Sequence, residues 1–274
     1  MLAMVYIKVN IKLPDTELTE MLIAQLEAIG FDGFEENAGS LLAYIAENNF
    51  NEIQLTSLLN QYAVQFTIET VPEQNWNANW EANFSPVVLE NFLAIRASFH
   101  DAISNVEHEI IITPKMSFGT GHHPTTFLVM QLMQQINFSQ KAVFDFGTGT
   151  GILAILAEKL GASSVYAVDC DAWSIQNAVE NFAMNHTKNC NIQQANNAAT
   201  DQNFDIILAN VNRNIILDNL HYFINCLSPK GLILLSGLLV SDAPEIKNMI
   251  QHKSTWQQKA ILEKEGWIAF LYEA

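Results

Sequence analysis

The chain has 274 residues, of which 49% are hydrophobic and 15% charged, and its formal net charge is −16. That length and apolar content allow one large domain or two unequal ones, each with a packed core. So acidic a balance argues against nonspecific nucleic-acid binding, which needs clustered Lys and Arg, and is compatible with a basic protein partner.

Near the start, Val5, Ile7, Val9 and Ile11 alternate with polar neighbours, the pattern of a half-buried strand. Asp15 and Thr16 offer an N-cap to a helix carrying Leu18, Met21, Leu22, Leu26 and Ile29, with Gly30 as its stop. Strands are predicted at 31–35, 41–46 and 64–70, and a second helix at 52–62. The order βαββαβ predicts a small ferredoxin-like α+β domain over residues 1–71, a recognition or dimerisation module with nothing catalytic in it. Residues 72–86 form an Asn-rich linker whose Trp76, Trp80 and Phe84, spaced by four, would make one aromatic stripe on a helix.

The second domain, residues 87–274, opens with strands at 87–90, 92–99 and 109–112. A loop with Gly119, Gly121 and Pro124 follows, and Thr125 or Thr126 opens a helix to about Ile136. His122 and His123 are neighbours with no Cys or carboxylate nearby, so no metal site is expected. Next comes Val143-Phe144-Asp145-Phe146-Gly147-Thr148-Gly149-Thr150-Gly151-Ile152. A buried strand, three alternate glycines and an immediate helix open a nucleotide-binding βαβ unit, where backbone approaches a ligand and the helix offers free N–H groups. Ile152 stands where a dinucleotide fingerprint needs Gly or Ala. Asp145 would repel a pyrophosphate but could take up an ammonium or an ordered water. Together they suit S-adenosylmethionine, with Gly147, Gly149 and Asp145 as candidate binding residues.

The next strand, 164–168, ends in Asp169-Cys170-Asp171. An acidic residue about 20 positions beyond the glycines is where a carboxylate holds ribose hydroxyls. Asp169 directly ends the strand, whereas Asp171 is placed as the following helix's N-cap. Asn196 and Asn197, beyond a short strand at 191–195, could meet an adenine. An apolar strand, 204–209, delivers Asn210 to the sheet edge where such folds bind ligands. Its carbonyl can orient an amine or cap the helix from Arg213, and both roles stay open. A turn at 228–231, a strand at 232–235, a helix at 242–251 and a hairpin about Glu265-Gly266 complete an alternating α/β, Rossmann-like sheet.

Cys170, Cys190 and Cys226 show no C-x-x-C spacing, which fits a reducing compartment. The first residues lack a signal-peptide pattern, and the most apolar run, 232–240, is too short to span a bilayer. The expectation is a cytoplasmic protein without membrane contact.

These stretches resemble the ribosomal protein L-eleven methyltransferase family (PrmA type), class I S-adenosylmethionine-dependent methyltransferases. Four blocks carry the resemblance: Phe118-Gly119-Thr120-Gly121-x-His123-Pro124-Thr125-Thr126, Asp145-x-Gly147-x-Gly149-x-Gly151-Ile152-Leu153-Ala154, Asp169-x-Asp171, and Ala209-Asn210. Leu235-Ser236-Gly237-Leu238 is also similar to a family stretch. The resemblance implies that Thr126, Gly147, Asp169 and Asn210 contact the cofactor or frame its site, with Phe118 and His123 in a loop over it. It implies a large-subunit ribosomal protein as substrate, methylated on lysine side chains and the N-terminal amine and recognised by the small domain. Asn210 would orient the amine, and the chemistry forces no general base.

The chain departs from the family pattern at His122, at Thr148, and at Val211-Asn212-Arg213-Asn214, where many members carry small residues and Pro. The roles of Asn212, Arg213 and Asn214 are therefore open. The alternative is a methyltransferase of the same fold acting on another protein, RNA or a small molecule. Against it, Asn210 is not followed by Pro-Pro-aromatic and no basic stripe is present.

Overall fold

The computed structural model describes residues 6–13, 17–37, 39–62, 64–71, 84–114 and 119–274, which divide into two compact units on either side of the Phe84–Ser85 bond. The expected cap at Asp15 and Thr16, most of the aromatic linker (72–83) and Phe118 lie outside the described residues.

The first unit is β1 (Tyr6–Lys12), α1 (Glu17–Ala28), β2 (Gly33–Asn37), β3 (Ser40–Ala46), α2 (Glu52–Asn60) and β4 (Phe66–Val71). Its antiparallel sheet has the order β2-β3-β1-β4. The alternation in β1 points Ile7, Val9 and Ile11 inward, and β3 answers with Leu41, Ala43 and Ile45. Leu22 and Leu26 of α1, with Leu55 and Leu59 of α2, close this core. Gly30, at φ 98°, ends the turn beyond α1, and Asn51 caps α2 by accepting from the Gln54 N–H at 3.1 Å.

The second unit opens with a three-stranded sheet, β5 (Val87–Leu89), β6 (Leu93–Ala97) and β7 (His108–Ile112). Arg96, 9% exposed, forks onto both carboxylate oxygens of Glu109 at 2.8 and 3.1 Å. That pairing holds Glu109 well below the usual carboxylate range, helped by the Ile103 N–H and opposed by burial. The remaining elements are α3 (Pro124–Met133), β8 (Ala142–Phe146), α4 (Ile152–Lys159), β9 (Ser164–Asp169), α5 (Ala172–Met184), β10 (Cys190–Gln194), β11 (Phe204–Asn210), α6 (Arg213–Cys226), β12 (Leu227–Leu239), α7 (Ala243–Lys253), β13 (Gln257–Lys264) and β14 (Trp267–Glu273).

Seven strands form the large sheet in the order β10-β9-β8-β11-β12-β14-β13. The first five are parallel; β14 runs antiparallel to β12 and β13 antiparallel to β14. Parallel strands covered on both faces read as unbroken apolar runs, and Ile206, Ile207, Leu208 and Ala209 of β11 are all buried. The order reverses between β8 and β11, so a crevice opens there at the strands' carboxyl ends.

Several boundaries shift from the sequence reading by one to a few residues, and two of these shifts have a clear physical cause. The helix after the His pair starts at Pro124, because His123 caps it and proline is tolerated where the first N–H has no partner. β12 starts before the expected turn at 228–231, where Leu227 pairs with Phe204 of β11, and runs on to Leu239, because β14 keeps pairing with it as far as Leu239↔Trp267. The turn survives only as Lys230 at φ 61°.

Asn177 and Asn181 on α5 and Asn185 at its C-cap fall at successive fourth positions and serve the unpaired edge of β7 and the residue after it. The Ile111 N–H donates to Asn185 Oδ1 at 3.0 Å, and Asn185 Nδ2 donates back to the Ile111 carbonyl at 2.6 Å. The Thr113 N–H donates to Asn181 Oδ1 at 2.8 Å. Side-chain amides thus replace a missing neighbour strand.

Candidate active site

At the switch point lies a cavity of about 670 Å³. One wall is the carboxyl edge of the parallel sheet: Gly147 and Gly149 after β8, Asp169 at the end of β9 with Cys170 beyond it, and Asn210 at the end of β11 with Val211 beyond it. The other wall is His123 and Thr125 at the start of α3, Gly237 in β12 and Trp267 at the start of β14. The far end is closed by Asn196, Asn197 and residues of α6, among them Ile215, Asp218, His221 and Tyr222.

The glycine loop cannot be built with other residues. Gly147 sits at φ 74°, and a Cβ there would lie 2.3 Å from Val211 Cγ1. Gly151, at φ 81°, would place a Cβ 2.6 Å from Phe182 Cε1. These are left-handed positions with no room, so only glycine brings this backbone to the cavity. Two carboxylates hold the loop. Asp169 Oδ2 accepts from the Gly149 N–H at 2.9 Å, and its Oδ1 accepts from the Asp171 N–H at 3.0 Å. Each oxygen retains lone-pair capacity toward the cavity. Asp145 accepts the Thr148 hydroxyl at 2.6 Å from beneath the loop. It is 1% exposed, and burial pushes its pKa up to about 7, opposed by the Thr148 hydroxyl and aided by the nearby Asp169 charge.

Asn210 ends β11 with its Nδ2 donating to Thr126 Oγ1 at 3.2 Å. Its Oδ1 is buried and makes no hydrogen bond. A buried acceptor left without a donor costs roughly 1–3 kcal/mol, so this oxygen marks where a donor belongs. The helix-cap alternative goes to another residue: Asn212 caps α6, accepting from the Ile215 N–H at 3.1 Å. Arg213 pairs with Asp242 at 3.5 Å and Glu245 at 3.2 Å, tying the start of α6 to the approach of α7.

His123 Nδ1 accepts from the Thr125 N–H at 3.3 Å, which requires an unprotonated nitrogen. Burial lowers its pKa, against a weaker opposite pull from Glu265. Its ring meets Trp267 edge-on at 4.7 Å. His122 turns away, its Nε2 2.8 Å from the Ser85 carbonyl oxygen.

Of the residues picked from sequence, Gly147, Gly149, Asp169, Asn210 and His123 meet at the cavity. Thr126 and Asp145 are not on its wall but stand behind it, against Asn210 and the glycine loop respectively. Thr125, its neighbour, lines the cavity instead. Sequence reasoning missed Trp267, Gly237 and the α6 residues. Trp267 and Gly237 reach the site through the register of β12 with β14, for which no local pattern exists.

An ammonium-bearing nucleoside ligand has what it needs here. Glycine backbone stands open to the cavity, a strand-end carboxylate has acceptor capacity to spare, and Asn196 and Asn197 offer amide groups at the far end. Among the described residues no helix is long and apolar enough to cross a membrane.

Comparison with known proteins agrees. Residues 10–274 match the family described as ribosomal protein L11 methyltransferase (PrmA). A ribosomal protein L11 methyltransferase of Porphyromonas gingivalis is 42% identical over 233 residues, covering 82% of this chain and 80% of that protein. The one from Chlorobaculum tepidum is 37% identical over 272 residues, 94% of this chain and 93% of its own. The solved structure of a ribosomal protein L11 methylase from Lactobacillus delbrueckii subsp. bulgaricus superposes with a TM-score of 0.63 at 30% identity, over 69% of this chain and 98% of that one. With the family match running over residues 10–274 and relatives 37–42% identical along most of their length, this chain belongs to the ribosomal protein L11 methyltransferase (PrmA) family.

Proposed function

We propose that the cavity binds S-adenosylmethionine, the methyl source implied by family and fold, and that the enzyme methylates amino groups of ribosomal protein L11, on lysine side chains, the N-terminal amine or both. The observation that carries this reading is the unpartnered Asn210 Oδ1, a buried acceptor on the wall beside the glycine loop. When bound, S-adenosylmethionine supplies a methyl group on a cationic sulfur, open to in-line attack by a neutral amine.

The chain's own residues then have separate tasks. Gly147 and Gly149 let backbone approach the amino-acid end, and Asp169 accepts from the ribose hydroxyls. Asn210 Oδ1 accepts an N–H of the incoming amine and so aims its lone pair, which is catalysis by alignment. Neutralising a lysine of ordinary pKa about 10.4 at pH 7 costs roughly 4–5 kcal/mol, against about 1 kcal/mol for an α-amine. An apolar wall such as Trp267 lowers that cost by disfavouring the ammonium. His123, held neutral by burial and occupied in capping α3, adds no positive charge against the substrate. The acidic small unit would draw a basic ribosomal protein by long-range attraction.

The test is transfer of labelled methyl from S-adenosylmethionine to ribosomal proteins of cells lacking the enzyme. Label confined to L11, in mass steps of one methylene, is the expected result. Label in RNA or in a different protein would sink the substrate assignment while leaving the cofactor reading intact.

A further inference from the structure

Thr150 lies inside the glycine loop, is wholly buried, and does not line the cavity. The loop's tight backbone needs its glycines, but nothing in that geometry requires a hydroxyl at position 150. Yet both hydrogen-bonding ends of this residue reach out of the loop. Its Oγ1–H donates to the Gly119 carbonyl at 2.5 Å. Its own carbonyl accepts from Asn181 Nδ2 at 2.8 Å, and the same Asn181 side chain accepts from the Thr113 N–H at 2.8 Å. Thr113 and Gly119 stand on either side of one stretch of chain, and both are thus fastened to Thr150.

Beyond Gly119 the chain is short of slack. Gly119 is at φ 105°, and a Cβ on it would stand 3.0 Å from Thr150 Oγ1. Gly121 is at φ 91°, with room for a Cβ only if Ile95 Cδ1 moved from 2.8 Å. Two residues later come His123, on the cavity wall against Trp267, and then Thr125 and Thr126, the latter holding Asn210. Displacement at Gly119 is therefore passed to the groups at the reacting end.

We propose that Thr150 is a positioning residue: through its hydroxyl, the loop that lines the cofactor end of the cavity sets the place of His123 and Thr126 at the acceptor end. This rests on the functional reading above for its kinetic consequence, but its structural consequence stands apart. A loop ordered by ligand at Gly147 and Gly149 would order the Gly119–Thr126 segment with it.

The experiment uses the full-length enzyme with Thr150→Val, which keeps shape and removes the donor, and Thr150→Ser, which restores it. Amide hydrogen exchange over 119–126 is compared with and without S-adenosylmethionine, alongside kcat, KM and melting temperature. The expected result is that the cofactor slows exchange of this segment in the parent and in Thr150→Ser but much less in Thr150→Val. Thr150→Val should also lose about tenfold in kcat/KM for the protein substrate, and adding His123→Ala to it should cost little more. Unchanged protection in Thr150→Val, or losses from the two substitutions that simply multiply, would overturn the proposal. If Thr150→Val does not accumulate folded, Thr150→Ala removes the same hydroxyl without bulk and is read in the same way. Absence of methyl transfer by the parent would count against the functional reading alone, since the exchange comparison still decides the role of Thr150.

Discussion

The two walls of the cavity are built by different means. The sheet-edge wall comes from three strand ends of one parallel sheet, each followed at once by a turn that fixes what faces the crevice. Gly147, Asp169 and Asn210 occupy equivalent stations on β8, β9 and β11. The opposite wall is assembled from a helix cap at His123 and, more than a hundred residues further on, a bulge in β12 and the first residue of β14. His123 and Trp267 meet at 4.7 Å only because β12 and β14 pair in one particular register. On the proposed reading the first wall is where backbone must approach a constant ligand, so it tolerates few residues. The second, on the same reading, faces the acceptor and is free to vary in chemistry. On this view, damage to the first wall should abolish cofactor binding, while damage to the second should act on the substrate.

Gly147→Val gives the largest expected effect. The added Cβ would start 2.3 Å from Val211 Cγ1 at a left-handed φ, and neither neighbour can yield without moving Asn210 or the loop. Loss of S-adenosylmethionine binding by more than about a hundredfold is expected by calorimetry. Near-normal affinity would mean the cofactor does not lie against this loop.

Asn210→Ala and Asp169→Ala separate two roles within that wall. Removing the Asn210 carbonyl should lower kcat by about a hundredfold, the range of one well-placed orienting group, with cofactor affinity nearly unchanged. Removing the Asp169 carboxylate deprives the Gly149 and Asp171 N–H groups of their acceptor as well as the ribose. A loss of cofactor affinity of about tenfold or more is expected, near the value of one or two charged hydrogen bonds. Equal losses of affinity in both variants would contradict the division of labour between them.

Trp267→Leu addresses the opposite wall and should do less. It keeps an apolar surface but removes the edge contact with His123. KM for the protein substrate should rise by several-fold, with the cofactor dissociation constant unmoved, because aromatic pairs contribute about 0.5–1.5 kcal/mol beyond burial. A matching change in cofactor affinity would show that the walls are not separate.

How much of this could be read from the sequence follows the same division. The strand, alternate glycines and helix at 142–159 are legible because each feature is forced by neighbours in the chain. Asp169 and Asn210 are legible as strand-end polar residues after apolar runs. The start of α3 is misplaced by a residue or two because His123, not a threonine, serves as cap, and histidine is an uncommon choice there. The length of β12 is under-read because Ser228-Pro229-Lys230-Gly231 is turn-like by composition, whereas Leu227 before it pairs with Phe204 of β11 and the strand's far end is held by β14 as far as Leu239. The Asn177, Asn181 and Asn185 ladder is illegible for a further reason. Asparagine every fourth residue in a helix looks like a polar face, and its meaning comes from the unpaired edge of β7 packed beside it.

Asp145 tests whether the layer behind the wall belongs to either class, and its effect on catalysis should be the smallest. Asp145→Asn keeps an acceptor for the Thr148 hydroxyl, so the loop stays supported and kcat/KM should change by no more than about threefold, the scale of one altered neutral hydrogen bond. Stability should respond differently. The carboxyl is wholly buried, and its pKa is raised from 3.8 to about 7 in the folded state. The unfolded chain therefore releases this proton at lower pH than the folded one does. Its contribution is fully present below about pH 4 and is lost as pH rises toward 7, after which no further loss occurs. Asparagine has no such proton. The stability of Asp145→Asn relative to the parent, read from denaturant midpoints, should thus increase between pH 5 and pH 7 and then level off, with an ideal change on the order of 3 kcal/mol over those two pH steps. A flat difference across that range would place Asp145 in its ordinary ionised state in the free enzyme, which would require a donor to its carboxylate that offsets the burial and would overturn its assignment to a neutral supporting layer.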